Sequence, residues 1–140
     1  MVDARIFAPA FAMVGLTFVV WWRMFFSRVG QMKRERIHPQ AVATSAQAAA
    51  KLTDSRAADN FRNLFELPVL FYAALFVAAL TGLVTPVSLA LAWIFVALRV
   101  LHSAIHCGYN KVMHRFYAYV VGGFVLFALW AWLGLRLLLA

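Results

Sequence analysis

Apolar side chains along this chain collect into four long runs, Ile6–Phe26, Leu64–Val84, Val87–Cys107 and Phe116–Leu139, separated by stretches that carry most of the charge. Each run has the length of about 20 residues that an α-helix needs to cross a hydrocarbon core, so the pattern predicts four transmembrane helices in one domain spanning residues 1–140. The first run ends in the bulky sequence Trp21-Trp22-Arg23-Met24-Phe25-Phe26, with no small-residue cleavage site. It is therefore expected to stay attached as a span and not to act as a signal peptide. Between the second and third runs, Thr81-Gly82-Leu83-Val84-Thr85-Pro86 carries no charge and reads as a tight turn.

The segment 27–60 breaks this apolar pattern. Gly30 and the neighbouring Arg/Lys cluster predict a break, and His38-Pro39 places proline in the first turn of a new helix. The Ala-rich sequence from Gln40 into Phe61 has neither Gly nor Pro, so the second span is expected to begin far outside the membrane, with an extension of some 30 Å at 1.5 Å per residue. Pro68 is expected to kink that helix just inside the bilayer. The Gly122-Gly123 pair is read as allowing close helix packing. Trp21, Trp22, Trp93, Trp130 and Trp132 are read as interfacial anchors or lipid-facing bulk.

Composition sharpens the class. At 65% hydrophobic and 13% charged, the chain has more apolar surface than a soluble fold of its size can bury. The expected fold is all-α, a polytopic four-helix membrane bundle with no room for a separate soluble catalytic domain. The net charge of +8 is assigned to membrane topology and anionic lipid, and not to nucleic acid, because no nucleic-acid motif accompanies it. Arg28, Lys33, Arg34, Arg36, Lys51 and Arg56 place the long loop in the cytoplasm, Lys111 and Arg115 fall on the same side, and both termini lie on the other. Cys107 is the single cysteine, which excludes an intramolecular disulfide.

Polar groups within apolar runs are costly, about 2.5–3.5 kcal/mol for a charge at the centre of a span, so each asks for a partner or a purpose. Asp59, Arg62, Asn63 and Glu66 stand at i, i+3, i+4 and i+7, one face of the second helix at the cytoplasmic end. Arg99, His102 and His106 repeat that spacing on the third helix, and Arg115 with Tyr119 opens the fourth. Glu66 with Arg62 reads either as a self-neutralising i,i+4 ion pair or as part of a site. Arg99, about 12 Å inside its span, is expected to take a carboxylate such as Glu66. The cluster of Arg62, Arg99 and Arg115 against Glu66 and Asp59 keeps an excess of cations, whose natural complement is an anionic ligand, with lipid headgroups as the simplest one. His102 and His106 at i,i+4 could chelate a metal with Glu66 as a third ligand, but four histidines are too few for a hydroxylase-type centre, and no metal is expected.

The string Asn60-Phe61-Arg62-Asn63-Leu64-Phe65-Glu66-Leu67-Pro68, followed by Arg99-Val100-Leu101-His102 and then by Arg115 and Tyr119, resembles the MAPEG family, the membrane-associated proteins in eicosanoid and glutathione metabolism. The likeness covers essentially the whole chain. It implies a homotrimer that holds glutathione as co-substrate between protomers near the cytoplasmic surface. By similarity Arg62, Asn63 and Glu66 bind the peptide's backbone and termini, Arg99, His102, His106 and Tyr119 line the pocket, and Arg115 sits at the sulfur as the catalytic group. Arg115 would lower the thiol pKa from about 8.5, and the thiolate would attack a hydrophobic electrophile or lipid hydroperoxide arriving from the bilayer. The implied activity is that of a glutathione-dependent transferase or peroxidase, in a bacterial inner membrane. Three departures accompany the likeness. Asp59 stands where the family's enzymes often carry Arg, His106 where a tyrosine is common, and Phe116 where prostaglandin E synthase has Ser. Asp59 and Phe116 motivate the alternative of a non-catalytic lipid-binding or scaffold protein of the same fold.

Overall fold

The computed structural model describes residues 3–139 and is helical throughout. A 3-10 turn at Ala4–Ile6, capped by Asp3, which accepts from the Arg5 backbone and guanidinium, leads into α1, Phe7–Arg34. This helix does not break at Gly30. A helix-interior glycine costs only about 1 kcal/mol relative to alanine, and no capping residue follows it, so α1 continues to Lys33 and Arg34, whose charges suit its C-terminus. The chain turns only afterwards, where Arg36 adopts φ 52°.

The Ala-rich segment departs most from expectation. It is not one projecting helix but a 3-10 turn at Pro39–Val42, a short α2 at Ser45–Lys51 and a separate α3 at Arg56–Asn63. Thr44 starts α2 with a capping box to Gln47. Thr53-Asp54-Ser55 interrupts the helix, because side chains of this kind offer the backbone local hydrogen bonds that compete with helix. Asp54 is tied to Arg56 at 2.8 Å and accepts from Ser27 on α1 at 3.4 Å, and Gln31 of α1 donates to Thr53 at 2.9 Å, so the segment folds back onto α1. Pro68 acts as more than a kink. Helicity stops at Asn63 and resumes as α4, Leu67–Leu80, with Pro68 in its first turn.

Gly82 at φ 70° and a Thr85–Ser88 capping box make the predicted tight turn into α5, Pro86–Cys107. A second turn, with Asn110 at φ 52°, leads into α6, Val112–Leu138, four residues ahead of the expected start at Phe116. Among the described residues, four helical stretches, Ala4–Arg34, Arg56–Leu80, Pro86–Cys107 and Val112–Leu138, are long and apolar enough to cross a membrane.

The core runs down the bundle axis. Met13 and Val20 of α1 and Ile6 of the turn that leads into it, seven residues apart, face Phe71, Ala74 and Ala78 of α4, Ala92 and Phe95 of α5, and Leu126, Leu129 and Leu133 of α6. Phe71 stacks on Phe95 with centroids 4.6 Å apart. Gly122 and Gly123 are buried, and an added Cβ would lie at the ordinary contact distance of 3.7 Å from Leu98 and from Leu67 respectively, so neither position demands a glycine. Phe11, Phe18, Phe76, Phe124 and Leu138 are instead exposed, as lipid-facing residues must be. Trp21, Trp22 and Trp93 also face outward, while the Trp130 indole donates to the Leu70 carbonyl at 3.2 Å and that of Trp132 to Thr85 at 3.3 Å. Arg56 donates to the Gly108 carbonyl at 2.6 Å, which fixes the long loop and the α5–α6 turn at the same end of the bundle.

Candidate functional site

The break between α3 and α4 builds the site. In an unbroken helix the Asn63 carbonyl would accept from the Leu67 amide four residues on. Here its chief partner is the Arg99 guanidinium, whose Nη2 donates to it at 2.9 Å, with the Glu66 amide at a longer 3.4 Å. Arg99 is fully buried, 0% exposed, and its Nε and Nη1 have no hydrogen-bond partner. Its guanidinium carbon lies 5.6 Å from the Tyr119 ring centroid.

The remaining members are contiguous. The Asn63 amide, oriented with its nitrogen toward Glu66, donates to Oε1 at 3.1 Å and Oε2 at 3.3 Å. The Tyr119 hydroxyl donates to Glu66 Oε2 at 3.3 Å. The His102 ring stands 5.8 Å from Tyr119 and 5.5 Å from His106, the latter edge-on. Both imidazoles are buried, and the Nδ1 of each is without a partner. Three separate elements, the α3–α4 junction, α5 and α6, thus bring together Asn63, Glu66, Arg99, His102, His106 and Tyr119, all expected from sequence.

Two predicted members sit at the rim, each engaged elsewhere. Arg62 is exposed and pairs with Asp59 at 3.6 Å, so the self-neutralising partner on this helix is Asp59 and not Glu66. Arg115, one turn before Tyr119 on α6, donates to the Asn110 side-chain carbonyl. The expected Arg99–Glu66 ion pair does not form. Glu66 accepts from the neutral donors of Tyr119 and Asn63, and Arg99 has one nitrogen on a backbone carbonyl and two without a partner.

Among the described residues, no three His, Cys, Asp or Glu side chains gather as metal ligands. The buried donors of Arg99 call for an acceptor instead. Glu66 is exposed and Tyr119 half-buried, so the cluster opens onto the outer face of the bundle. Phe65 and Phe116 are both exposed as well.

A second buried polar group went unnoticed in the sequence. Asn60, fully buried on α3, donates to Cys107 Sγ at 3.4 Å and accepts from Ser103 at 3.3 Å. Asn60 and Ser103 are uncharged and attract no attention in an apolar run, although Asn60 precedes Asn63 by three residues.

A sequence model of the MAPEG family matches residues 6–135. No curated protein and no solved structure matches the chain. With the match spanning nearly the whole four-helix bundle, this chain belongs to the MAPEG family.

Proposed function

We propose that the protein is a membrane-embedded, glutathione-dependent transferase or peroxidase acting on hydrophobic electrophiles or lipid hydroperoxides, the kind of activity found within its family. The observation that carries this reading is Arg99, a guanidinium with no exposure and two unpartnered nitrogens beside an exposed carboxylate. Burying unsatisfied charge is costly, and an anionic ligand with an ammonium group would relieve it from both sides. Glutathione carries two carboxylates and one ammonium, so the residues fit it. Arg99 and Arg62 would hold carboxylates, Glu66 the ammonium, and Asn63, His102, His106 and Tyr119 would line the remaining surface.

Bound glutathione would supply the thiol sulfur that, once ionised, is the nucleophile. Arg115 would stabilise that sulfur's negative charge, each unit of pKa lowering corresponding to about 1.4 kcal/mol. It would not take the proton, since arginine stays protonated; His106, whose Nδ1 has no partner, would donate a hydrogen bond or relay the proton. The exposed Glu66 would need cover within the membrane, which supports a homotrimer whose neighbouring copy closes the site. The cations at the loop end, Arg28, Lys33, Arg34, Arg36 and Lys51 with Lys111 and Arg115, support a cytoplasmic placement of that end, with both termini opposite.

Titration calorimetry with glutathione tests binding: saturable heat in the wild type, strongly weakened in Arg62→Ala, is expected. Thiolate absorbance and turnover with chlorodinitrobenzene test chemistry, and both should be lost in Arg115→Ala while binding persists. The Asp59 contact on Arg62, the Asn110 contact on Arg115 and the phenyl ring at Phe116 favour a second reading, a lipid-binding or scaffold protein. Absence of both glutathione binding and turnover in the wild type would select it.

A further inference from the structure

A groove of about 300 Å³ runs between α1 and α5, walled by Leu16, Val19 and Val20 on one side and Val100 on the other. It uses a different face of α5 from Arg99, His102 and His106. Its polar residues are gathered toward one end, where Arg23 meets Ser103 and Cys107. Ser103 and Cys107 are already satisfied through Asn60. Beyond them lies the strap from α1 to the α5–α6 turn, in which Asp54 accepts two guanidinium hydrogen bonds from Arg56, at 2.8 and 3.1 Å, and one from Ser27. Asp54 is thereby committed to Arg56. Arg23 is exposed and, among the described residues, makes no ion pair and no hydrogen bond. The groove is therefore an apolar slot with one unpaired cation at its loop end, which Asp54 faces only across space, set among the outward-facing Trp21, Trp22, Phe25 and Phe26.

We propose that this groove holds one acyl chain of an anionic bilayer phospholipid, with the lipid phosphate paired to Arg23. The distance from Arg23 to Leu16 is seven residues, about 10 Å along the helix, which accommodates most of a chain crossing one leaflet of about 15 Å. The polarity runs in the sense a lipid requires, headgroup at the loop end and chain toward the bilayer centre. A second copy of the chain is a poorer occupant. Of its five acidic residues, Asp3, Asp54 and Asp59 are held in internal ion pairs, and Glu66 is bonded to Tyr119 and Asn63. That leaves only Glu35, itself bonded to Gln31, to meet Arg23.

Cys107 provides the readout, because it is the one cysteine in the sequence and lines the groove. In detergent micelles, N-ethylmaleimide labelling of Cys107 is expected to slow on addition of phosphatidylglycerol and to be little changed by phosphatidylcholine. Arg23→Gln, at an exposed position, should weaken the protecting lipid by about fivefold, the contribution of one cation at an anionic headgroup, and Arg23→Lys should retain protection. Leu16→Trp, which fills the apolar end of the slot away from Cys107, should leave labelling without lipid little changed and make it insensitive to lipid. Equal protection by phosphatidylcholine, undiminished protection in Arg23→Gln, or no protection by phosphatidylglycerol would each overturn the proposal. Protection by free oleate matching that by phosphatidylglycerol would overturn the assignment to a phospholipid.

Discussion

Replacing Arg99 with methionine separates a ligand-seeking cation from a structural one. Removing the buried charge recovers about 2.5–3.5 kcal/mol of insertion cost. Against that, the variant loses the charge-assisted hydrogen bond to the Asn63 carbonyl at 2.9 Å, worth about 1.5–3 kcal/mol, and the Tyr119 contact at 5.6 Å, worth up to about 2 kcal/mol. These contributions nearly cancel, so the unliganded variant should unfold within about 2.5 kcal/mol of the wild type, in either direction. Glutathione at a hundredfold its Kd should stabilise the wild type by about 2.7 kcal/mol, and the variant should lose that gain. Thermal unfolding in detergent, with and without glutathione, measures both quantities. If Arg99 were instead one half of a buried ion pair, the unliganded variant would fall by about 3–5 kcal/mol. A loss of that size, or a glutathione-dependent shift that survives in Arg99→Met, would refute the reasoning.

The loop strap should respond to acid. The Arg56 guanidinium beside Asp54 lowers its carboxyl to about 2, below the unfolded value of about 3.9, so the stabilisation is present above pH 4 and fades as pH falls toward 2. In Asp54→Asn that part of the acid sensitivity should vanish, seen as a smaller drop in thermal stability between pH 5 and pH 3. Two glycines should behave oppositely on conversion to alanine: at Gly108 the new Cβ would lie 2.7 Å from the Ala104 carbonyl oxygen, whereas at Gly30, inside α1, it meets nothing within 4 Å. Gly108→Ala should therefore destabilise by about 1–3 kcal/mol, and Gly30→Ala should stabilise by about 0.5–1 kcal/mol, both read from thermal unfolding. Asp59→Ala frees Arg62 from an exposed ion pair worth at most about 1 kcal/mol, and calorimetry should show glutathione binding tightened by up to about fivefold.

The membrane spans were legible because hydropathy reports contact with lipid, but their ends were not, because a helix does not stop where the bilayer does. The first apolar run ends at Phe26, while α1 continues through a basic stretch to Arg34. The region from Gln40 to Phe61 shows the reverse error. Alanine propensity, a few tenths of a kcal/mol per residue, argued for one long helix. It was outweighed by the local hydrogen bonds of Thr44 with Gln47, and of Thr53 and Asp54 with α1.

Helix continuity governs the site in the same way. On α5 the spacing of Arg99, His102 and His106 translated directly into a shared face, because that helix is continuous from Pro86 to Cys107. On the second span the spacing of Asp59, Arg62, Asn63 and Glu66 presupposed a helix that Pro68 does not allow. Proline lacks the amide that the Leu64 carbonyl would have used, and with the helix interrupted from Leu64 to Glu66 the Asn63 carbonyl is turned free of the ladder as well. Counting charges made Glu66 the obvious partner for Arg99. The break supplied a backbone acceptor in its place, leaving the carboxylate of Glu66 at the surface and two nitrogens of Arg99 unspent beneath it. A proline read as a kink is thus what converts a neutral ion pair into a pair of separated, opposite charges that a zwitterionic ligand can bridge.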